Sequence, residues 1–471
     1  MSTTASVIMY NQQNLGDCFL IKFSNGDKKS WVMIDFGSYQ GNNTIQEKII
    51  ANHIVSELNG DPLHIVLTHQ HKDHLSGFIT AADELSQLNV SQVWLSFLDD
   101  EDSEIGKAVR SVSTKYWQKS DKIKKIVENN FNDGPVKDML DAKQGYDLFA
   151  EGQSGGQAIS NMLEWLTKTD KQKKPLFLSP GDVFDMPGME GEVKVYVFGP
   201  PSDFNKLRSL DPKDGEDVNG LSALNELDKS GDFLLNALEG IDTGNAINNI
   251  GAGFPFAKKY TIPVGKTVTA SGLNTENTYN QPGKEWRKID ADWLSDVGQL
   301  SLHMDNLTNN TSLVLAFELV KTGKVLLFVG DAQIGNWKSW FDVKFKDTDV
   351  KAEDLLRRTV LYKAGHHSSH NATYKPGLEL MNEKELVIMV PLNQEISDKF
   401  KFLMGKPPMM EGYNRKAQGR MVRTDTIFQD ATKLQNLKFP FANKIDDIKG
   451  LSIVPPMPPS PPQLYLKYEV G

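Results

Sequence analysis

Six of the chain's nine histidines fall in two short blocks, His69, His71 and His74, then His366, His367 and His370. The first block also carries Asp73. Three imidazoles and an aspartate packed together with no cation would repel one another or go unsatisfied, so the block points to metal binding. His69 and His71 are two apart, and on an extended strand end they point the same way and can grip one ion. Asp73 and His74, at the next turn, then face a second. Asp331 follows an apolar strand and Gly330, and is the natural donor for two ions to share. A histidine of the His366/His367 pair completes the second set; adjacent histidines are not separable without a backbone, and His366 is preferred because it directly ends its strand segment. Imidazole with carboxylate suits zinc, with manganese or iron also accepted. The cofactor expectation is therefore two divalent metal ions, zinc first. Water held by such ions gives hydroxide near neutral pH, so hydrolysis needs no protein nucleophile. Asp73 can orient the attacking hydroxide, while His367, Ser368, His370 or Lys363 can stabilise charge developing on a phosphoryl or carboxyl oxygen.

The elements around these residues read as α/β. Strand signals run Ser6 to Tyr10, Cys18 to Phe23 and Trp31 to Asp35, separated by turn-rich pieces. A helix follows with Ile45, Ile49, Ile50, His53, Ile54 and Leu58 on its apolar face, stopped by Asn59-Gly60. Leu63 to Leu67 is nearly all apolar, as a strand buried on both faces requires, and runs straight into the first histidine block. Gln92 to Phe97, Leu176 to Leu178 and Val193 to Phe198 are further strands. So are Ser312 to Val320, Val325 to Val329, Thr359 to Lys363, Leu386 to Val390 and a terminal Leu464 to Val470. Asp331 and His366 each lie just past a strand's C-terminal end, where open α/β sheets place their ligands. Residues 101–174 read as a helical insertion, 202–309 as a loop-rich insertion around a helix near Ala223 to Leu238, and 431–471 as a C-terminal extension with an extended Pro-rich segment, Pro455 to Pro462. The division is one domain over 1–471.

Composition bounds the function. A single cysteine, Cys18, excludes an intrachain disulfide and a sulfur-rich metal site, and reads as a small buried hydrophobe. The formal charge of −9 offers no basic field for a polyanion, although bound cations would be invisible to that count. No apolar run is long enough to span a bilayer and the start lacks a secretory pattern, so the expected location is cytoplasmic, with no membrane partner. The substrate is expected to be a small molecule, a nucleotide or a nucleic acid. The insertions are candidate surfaces for protein partners, and the oligomeric state is open.

His-x-His-x-Asp-His, a later strand-Gly-Asp and a later strand-His together resemble the metallo-β-lactamase superfamily. More narrowly, Leu15-Gly-Asp-Cys-Phe-Leu-Ile21, Val32-Met-Ile-Asp-Phe-Gly37, Asn310-Thr-Ser-Leu-Val-Leu315, Leu326-Leu-Phe-Val-Gly-Asp-Ala332 and Lys363-Ala-Gly-His-His-Ser368 resemble the hydrolase domain of ComEC-type DNA-uptake proteins. The resemblance covers roughly 5–100, 175–200 and 310–430. It implies a four-layer αββα sandwich with two metals in the cleft between the sheets. By this mapping the first ion takes His69, His71 and Asp331, and the second takes Asp73, His74, Asp331 and His366. Most superfamily members supply a further histidine before the bridging aspartate, whereas only His303 lies between His74 and Asp331 here. Asn310 stands where the ComEC-like subset shows a polar residue and is a candidate weak ligand. Asp35 is expected to fix the ligand loop from behind. The activity implied is phosphodiester or nucleic-acid hydrolysis. Two rival readings are hydrolysis of an ester, lactone, thioester or lactam by the same fold, and a binding or scaffold protein with a degenerate metal site.

Overall fold

The computed structural model describes residues 2–39, 44–111, 152–168, 170–207, 307–399, 407–425, 448–454 and 464–471, with a few single positions between them. The expected helix near Ala223 to Leu238, His303 and the Pro455 to Pro462 segment lie outside the described residues. The chain divides into two compact units. One comprises Met1–Lys107, Leu148–Gly215 and Asn306–Gly471, and the other Ala108–Asp147 and Glu216–Asp305. Only the first is largely described, and it holds both histidine blocks.

That unit is a mixed α/β structure with two sheets. The first sheet contains β1 (Thr4–Tyr10), β2 (Cys18–Asn25), β3 (Lys28–Phe36), β4 (Pro62–Val66), β5 (Asn89–Ser96), β6 (Leu176–Leu178), β14 (Leu451–Val454) and β15 (Tyr465–Val470), in the order β14-β15-β1-β2-β3-β4-β5-β6. The second contains β7 (Val183–Asp185), β8 (Val193–Gly199), β9 (Val314–Leu319), β10 (Lys324–Phe328), β11 (Thr359–Lys363), β12 (Val387–Val390) and β13 (Met421–Arg423), in the order β13-β12-β11-β10-β9-β8-β7. Each sheet is antiparallel in one half and parallel in the other: β3 to β6 pair in parallel in the first, β10 to β13 in the second.

Alternation along the strands sends one set of apolar residues into a core shared by the two sheets. Val7, Phe19, Ile21, Phe23 and Ile34 from the first sheet meet Val195, Phe317, Leu326, Phe328 and Leu361 from the second. Phe19 stands edge-on to Phe328 with ring centres 5.5 Å apart. The opposite face of the first sheet buries Leu20, Met33, Ile65 and Val93 against Ile50 and Ile54 of the helix Thr44–Leu58 and Ala158, Met162 and Leu166 of the helix Gly152–Thr167. Part of the segment expected as an insertion thus closes the core. The C-terminal stretch, expected as an extension, supplies β15, which pairs with β1 from Ala5↔Val470 to Tyr10↔Tyr465.

The helix Thr44–Leu58 departs from its apolar pattern. Ile45 is 78% exposed, while the polar Gln46 and Glu47 are buried. Partners explain the exchange. Gln46 donates to the Asn11 carbonyl at 2.7 Å, and the Glu47 carboxylate accepts from Ser38 at 2.8 Å, from Ser76 at 2.7 Å and from Thr80. Ser76 and Thr80 tie the helix to the segment that carries the first histidine block, and Ser38 ties it to the end of β3.

Candidate metal centre

The parallel halves of both sheets end at the same place. Asp35 lies near the end of β3, His69 to His74 follow β4, Asp331 follows β10 and the second histidine pair follows β11. Asp73 and His74 ride on the short helix Lys72–Leu75. That helix presses against Gly37, where a Cβ would stand 2.5 Å from both the Leu75 nitrogen and the Lys72 oxygen, so only glycine lets it approach. Gly330, at φ +53°, has the same function beside Asp331: a Cβ there would meet the Thr68 Cβ at 2.7 Å.

Asp73, His74, Asp331 and His367 come together with one ligand atom each inside 4.8 Å of one another, all buried. His74 Nε2 stands 3.1 Å from Asp331 Oδ2 and 3.8 Å from Asp73 Oδ2, and His367 Nε2 stands 2.8 Å from Asp73 Oδ2. The opposite nitrogens set the tautomers. His74 Nδ1–H donates to Asp35 Oδ2 at 2.7 Å and His367 Nδ1–H to the Pro391 carbonyl at 2.6 Å, which turns both Nε2 atoms inward. Asp35 in turn accepts from the Thr68 backbone N–H at 2.8 Å and from its hydroxyl at 2.7 Å. Asp35 therefore links the His74 ring to Thr68 just past the end of β4.

Charge in the cluster is unbalanced toward acid. Burial opposes a proton on His74, yet Asp331, Asp35, Asp17 and Asp73 around it hold its pKa well above the ordinary value. His367 is likewise raised against burial, by Asp73 and Asp331. Burial pushes Asp331 up, but the His74 and Lys363 cations hold it well below the usual carboxylate range. Asp73 Oδ1, His74 Nε2 and Asp331 Oδ2 are buried without a hydrogen-bond partner. Two imidazoles and two carboxylates aimed at one space are a donor set that fits a divalent cation.

The second histidine pair resolves against the sequence preference. His366, His367 and Ser368 carry φ values of 42°, 45° and 64°, three successive left-handed residues that reverse the chain just past β11. The reversal swings the His367 ring to Asp73. The His366 ring turns to Ser369 Oγ at 2.8 Å, the Gln333 amide at 3.1 Å and the Asn309 amide at 3.3 Å, and burial lowers its pKa to about 4. His366 contributes its backbone instead, donating N–H to Asp331 Oδ1 at 2.9 Å.

The expected first set is looser. His69 Nε2 and His71 Nδ1 face each other at 3.0 Å, but among the described residues these two do not join Asp331 in a group as compact as the four above. Burial lowers the pKa of both rings, His71 to about 4. Asn310 does not face them. Its Oδ1 accepts the backbone N–H groups of Gln333 at 3.2 Å and Asn336 at 3.1 Å, so it caps the helix Ile334–Ser339, and its Nδ2 donates to the Leu207 carbonyl at 3.0 Å. Its neighbour Asn309, which sequence reasoning passed over, is the one that meets His366 and His71. His370 is exposed and outside the four-residue group. Lys363 is beside Asp331, but its three hydrogens point to Asp17, the Gly330 carbonyl and Asp331, leaving none for a substrate oxygen.

Residues 13–85 match the family model of the metallo-beta-lactamase superfamily. The matched stretch carries Asp17, Asp35 and the whole His69 to His74 block. Domains of that superfamily are generally hydrolytic and typically hold divalent metals, in keeping with the donor set found here. The match stops short of Asp331 and His367, which the fold brings to it. No curated protein matches the chain. Among the described residues, no helix is long and apolar enough to cross a membrane.

Proposed function

We propose that the chain is a metal-dependent phosphodiesterase or nuclease of the four-layer αββα type. The carrying observation is the buried set of Asp73 Oδ1, His74 Nε2 and Asp331 Oδ2, aimed at one space and left without hydrogen bonds. Asp73, His74, Asp331 and His367 would hold a divalent ion, zinc by preference and manganese or iron by the same donor logic. When bound, such an ion polarises an ester oxygen and acidifies water.

The chain's own residues supply the rest. Asp35 and the Pro391 carbonyl hold the tautomers of His74 and His367, so both rings stay aimed without reorganisation during turnover. The second oxygen of Asp73 is available to take a proton from an attacking water. His69, His71 and Asn309 line the neighbouring wall and offer a weaker position for a second ion.

The preference for a phosphodiester over a lactam, lactone or thioester has two supports. One is the similarity of five sequence blocks to the ComEC-type hydrolase domain. The other is the wall itself: Asn309, Gln333, Ser368, Ser369 and Asn371 are buried polar side chains around the histidine pair, where an apolar acyl substrate would call for an apolar lining. The charge that a nucleotide would bring is then met by the ion rather than by Lys363. Purified protein loaded with zinc or manganese is expected to cleave bis-p-nitrophenyl phosphate and to leave nitrocefin and simple lactones intact. Lactam or lactone turnover without phosphodiester turnover would reverse the assignment.

A further inference from the structure

We propose that Lys363 and Asp17 form a positioning pair that decides which oxygen of Asp331 is presented to a divalent cation. The inference rests on the metal-site reading above and concerns the residues that anchor Asp331 on its Oδ1 side.

Lys363, Asp17 and Asp331 are each 1% exposed or less. The ammonium contacts Asp17 Oδ2, the Gly330 carbonyl at 2.6 Å and Asp331 Oδ1 at 3.3 Å. Three donors meet three acceptors, so its place is fully determined. Both anchors are themselves fixed. The Asp17 backbone N–H donates to the Asp73 carbonyl at 3.0 Å, and its carbonyl accepts from the Gly37 N–H at 3.0 Å, so the loop that carries Asp17 is tied to the ligand helix and to the end of β3. Gly330, in its left-handed conformation, aims its carbonyl at the ammonium from the other side. Asp331 is then held at three points: its backbone N–H by Ser312 Oγ at 3.0 Å, and its Oδ1 by Lys363 and by the His366 N–H at 2.9 Å. The remaining oxygen, Oδ2, faces His74 Nε2. An aspartate free to rotate about its last torsion would present either oxygen, and this one cannot.

Charge balance alone and positioning predict opposite signs, which makes the pair testable. Deleting a positive charge beside a cation site should tighten cation binding if charge were all that mattered. Losing the orientation of a ligand carboxylate should weaken it, by the roughly 10- to 100-fold typical of residues that orient ligands from behind. The experiment measures zinc affinity by competition with a chromophoric chelator, together with the visible spectrum of the cobalt-substituted protein and the melting temperature of the metal-free protein. Lys363→Met is expected to bind zinc roughly 10- to 100-fold more weakly and to change the cobalt spectrum. The double variant Asp17→Asn with Lys363→Met removes both charges; it should recover thermal stability but not affinity. If Lys363→Met does not fold, the double variant decides alone. Equal or tighter zinc binding by Lys363→Met, or wild-type affinity and spectrum in the double variant, would overturn the proposal. Wild-type protein that binds no ion would instead remove the metal-site reading on which it stands.

Discussion

Two sets of buried carboxylates, Glu47 in one and Asp73 with Asp331 in the other, solve the same problem differently. Glu47 is wrapped by hydroxyls: Ser38, Ser76 and Thr80 all donate to it, and it needs no counter-charge to be satisfied. Asp73 and Asp331 face imidazole nitrogens and keep an oxygen each with no hydrogen bond. Since a buried polar group without a partner costs about 1–3 kcal/mol, the first arrangement is complete as it stands and the second leaves oxygens that a cation would satisfy. A buried acid is thus a fastening or a ligand according to whether donor hydrogens match its oxygens, and its burial alone does not tell which.

The contrast can be broken most severely at the ligands. Asp73→Ala or His74→Ala should lower phosphodiester turnover by about 1000-fold or more and remove tightly held metal, so that adding zinc no longer raises the melting temperature of either variant. Metal analysis and melting curves check both halves. Glu47→Ala should do the reverse. Three hydroxyls lose their acceptor, so stability falls by about 3 kcal/mol in denaturant titration while the metal content of the folded fraction is kept. Wild-type protein should gain about 2.7 kcal/mol on adding zinc at a hundred times its dissociation constant, and Glu47→Ala should gain the same amount. A Glu47 variant that folded but lost its ion would erase the distinction between the two clusters.

A finer cut separates the adjacent histidines. His367→Ala should lose tight metal binding, whereas His366→Gln should weaken it less than tenfold, about 1.4 kcal/mol or less, through slackening of the Asp331 anchor. The smallest effect on metal binding is expected away from both clusters. Burial in β4, against Trp94, lowers the His64 pKa from the ordinary 6.5 to about 4. The native state then takes up its proton less readily than the unfolded chain, so this contribution to stability is complete above pH 6.5 and is lost as pH falls toward 4. The loss amounts to about 3 kcal/mol at most. His64→Gln should flatten that part of the stability profile without changing metal content.

Much of the frame was legible because long apolar or alternating runs leave few choices. The strand expected at Thr359 to Lys363 is β11 itself, and Leu63 to Leu67 is β4 shifted by one residue. What stayed hidden was short or conditional. β7, β13 and β14 have only three or four residues, too few for a period to show, and the equally short β6 is visible only as an unbroken apolar run between polar flanks. Ile45 fitted the apolar face of its helix, but the buried hydroxyls of Ser38 and Ser76 reward a glutamate beside it. At the site, residue types announced the chemistry, since clustered imidazoles and carboxylates have few other uses. The assignment among neighbours depended on backbone twist that types do not encode. Three left-handed residues hand the inward position to His367, and a helix start absorbs Asn310 and leaves Asn309 facing the histidines.

The central claim is that Asp73, His74, Asp331 and His367 hold one divalent ion tightly. An anomalous-difference map from crystals grown with zinc tests it most directly. The account predicts a strong peak bounded by those four side chains, with any second peak weaker and beside His69 and His71. A saturated crystal with its only strong peak elsewhere, or with none, would contradict it.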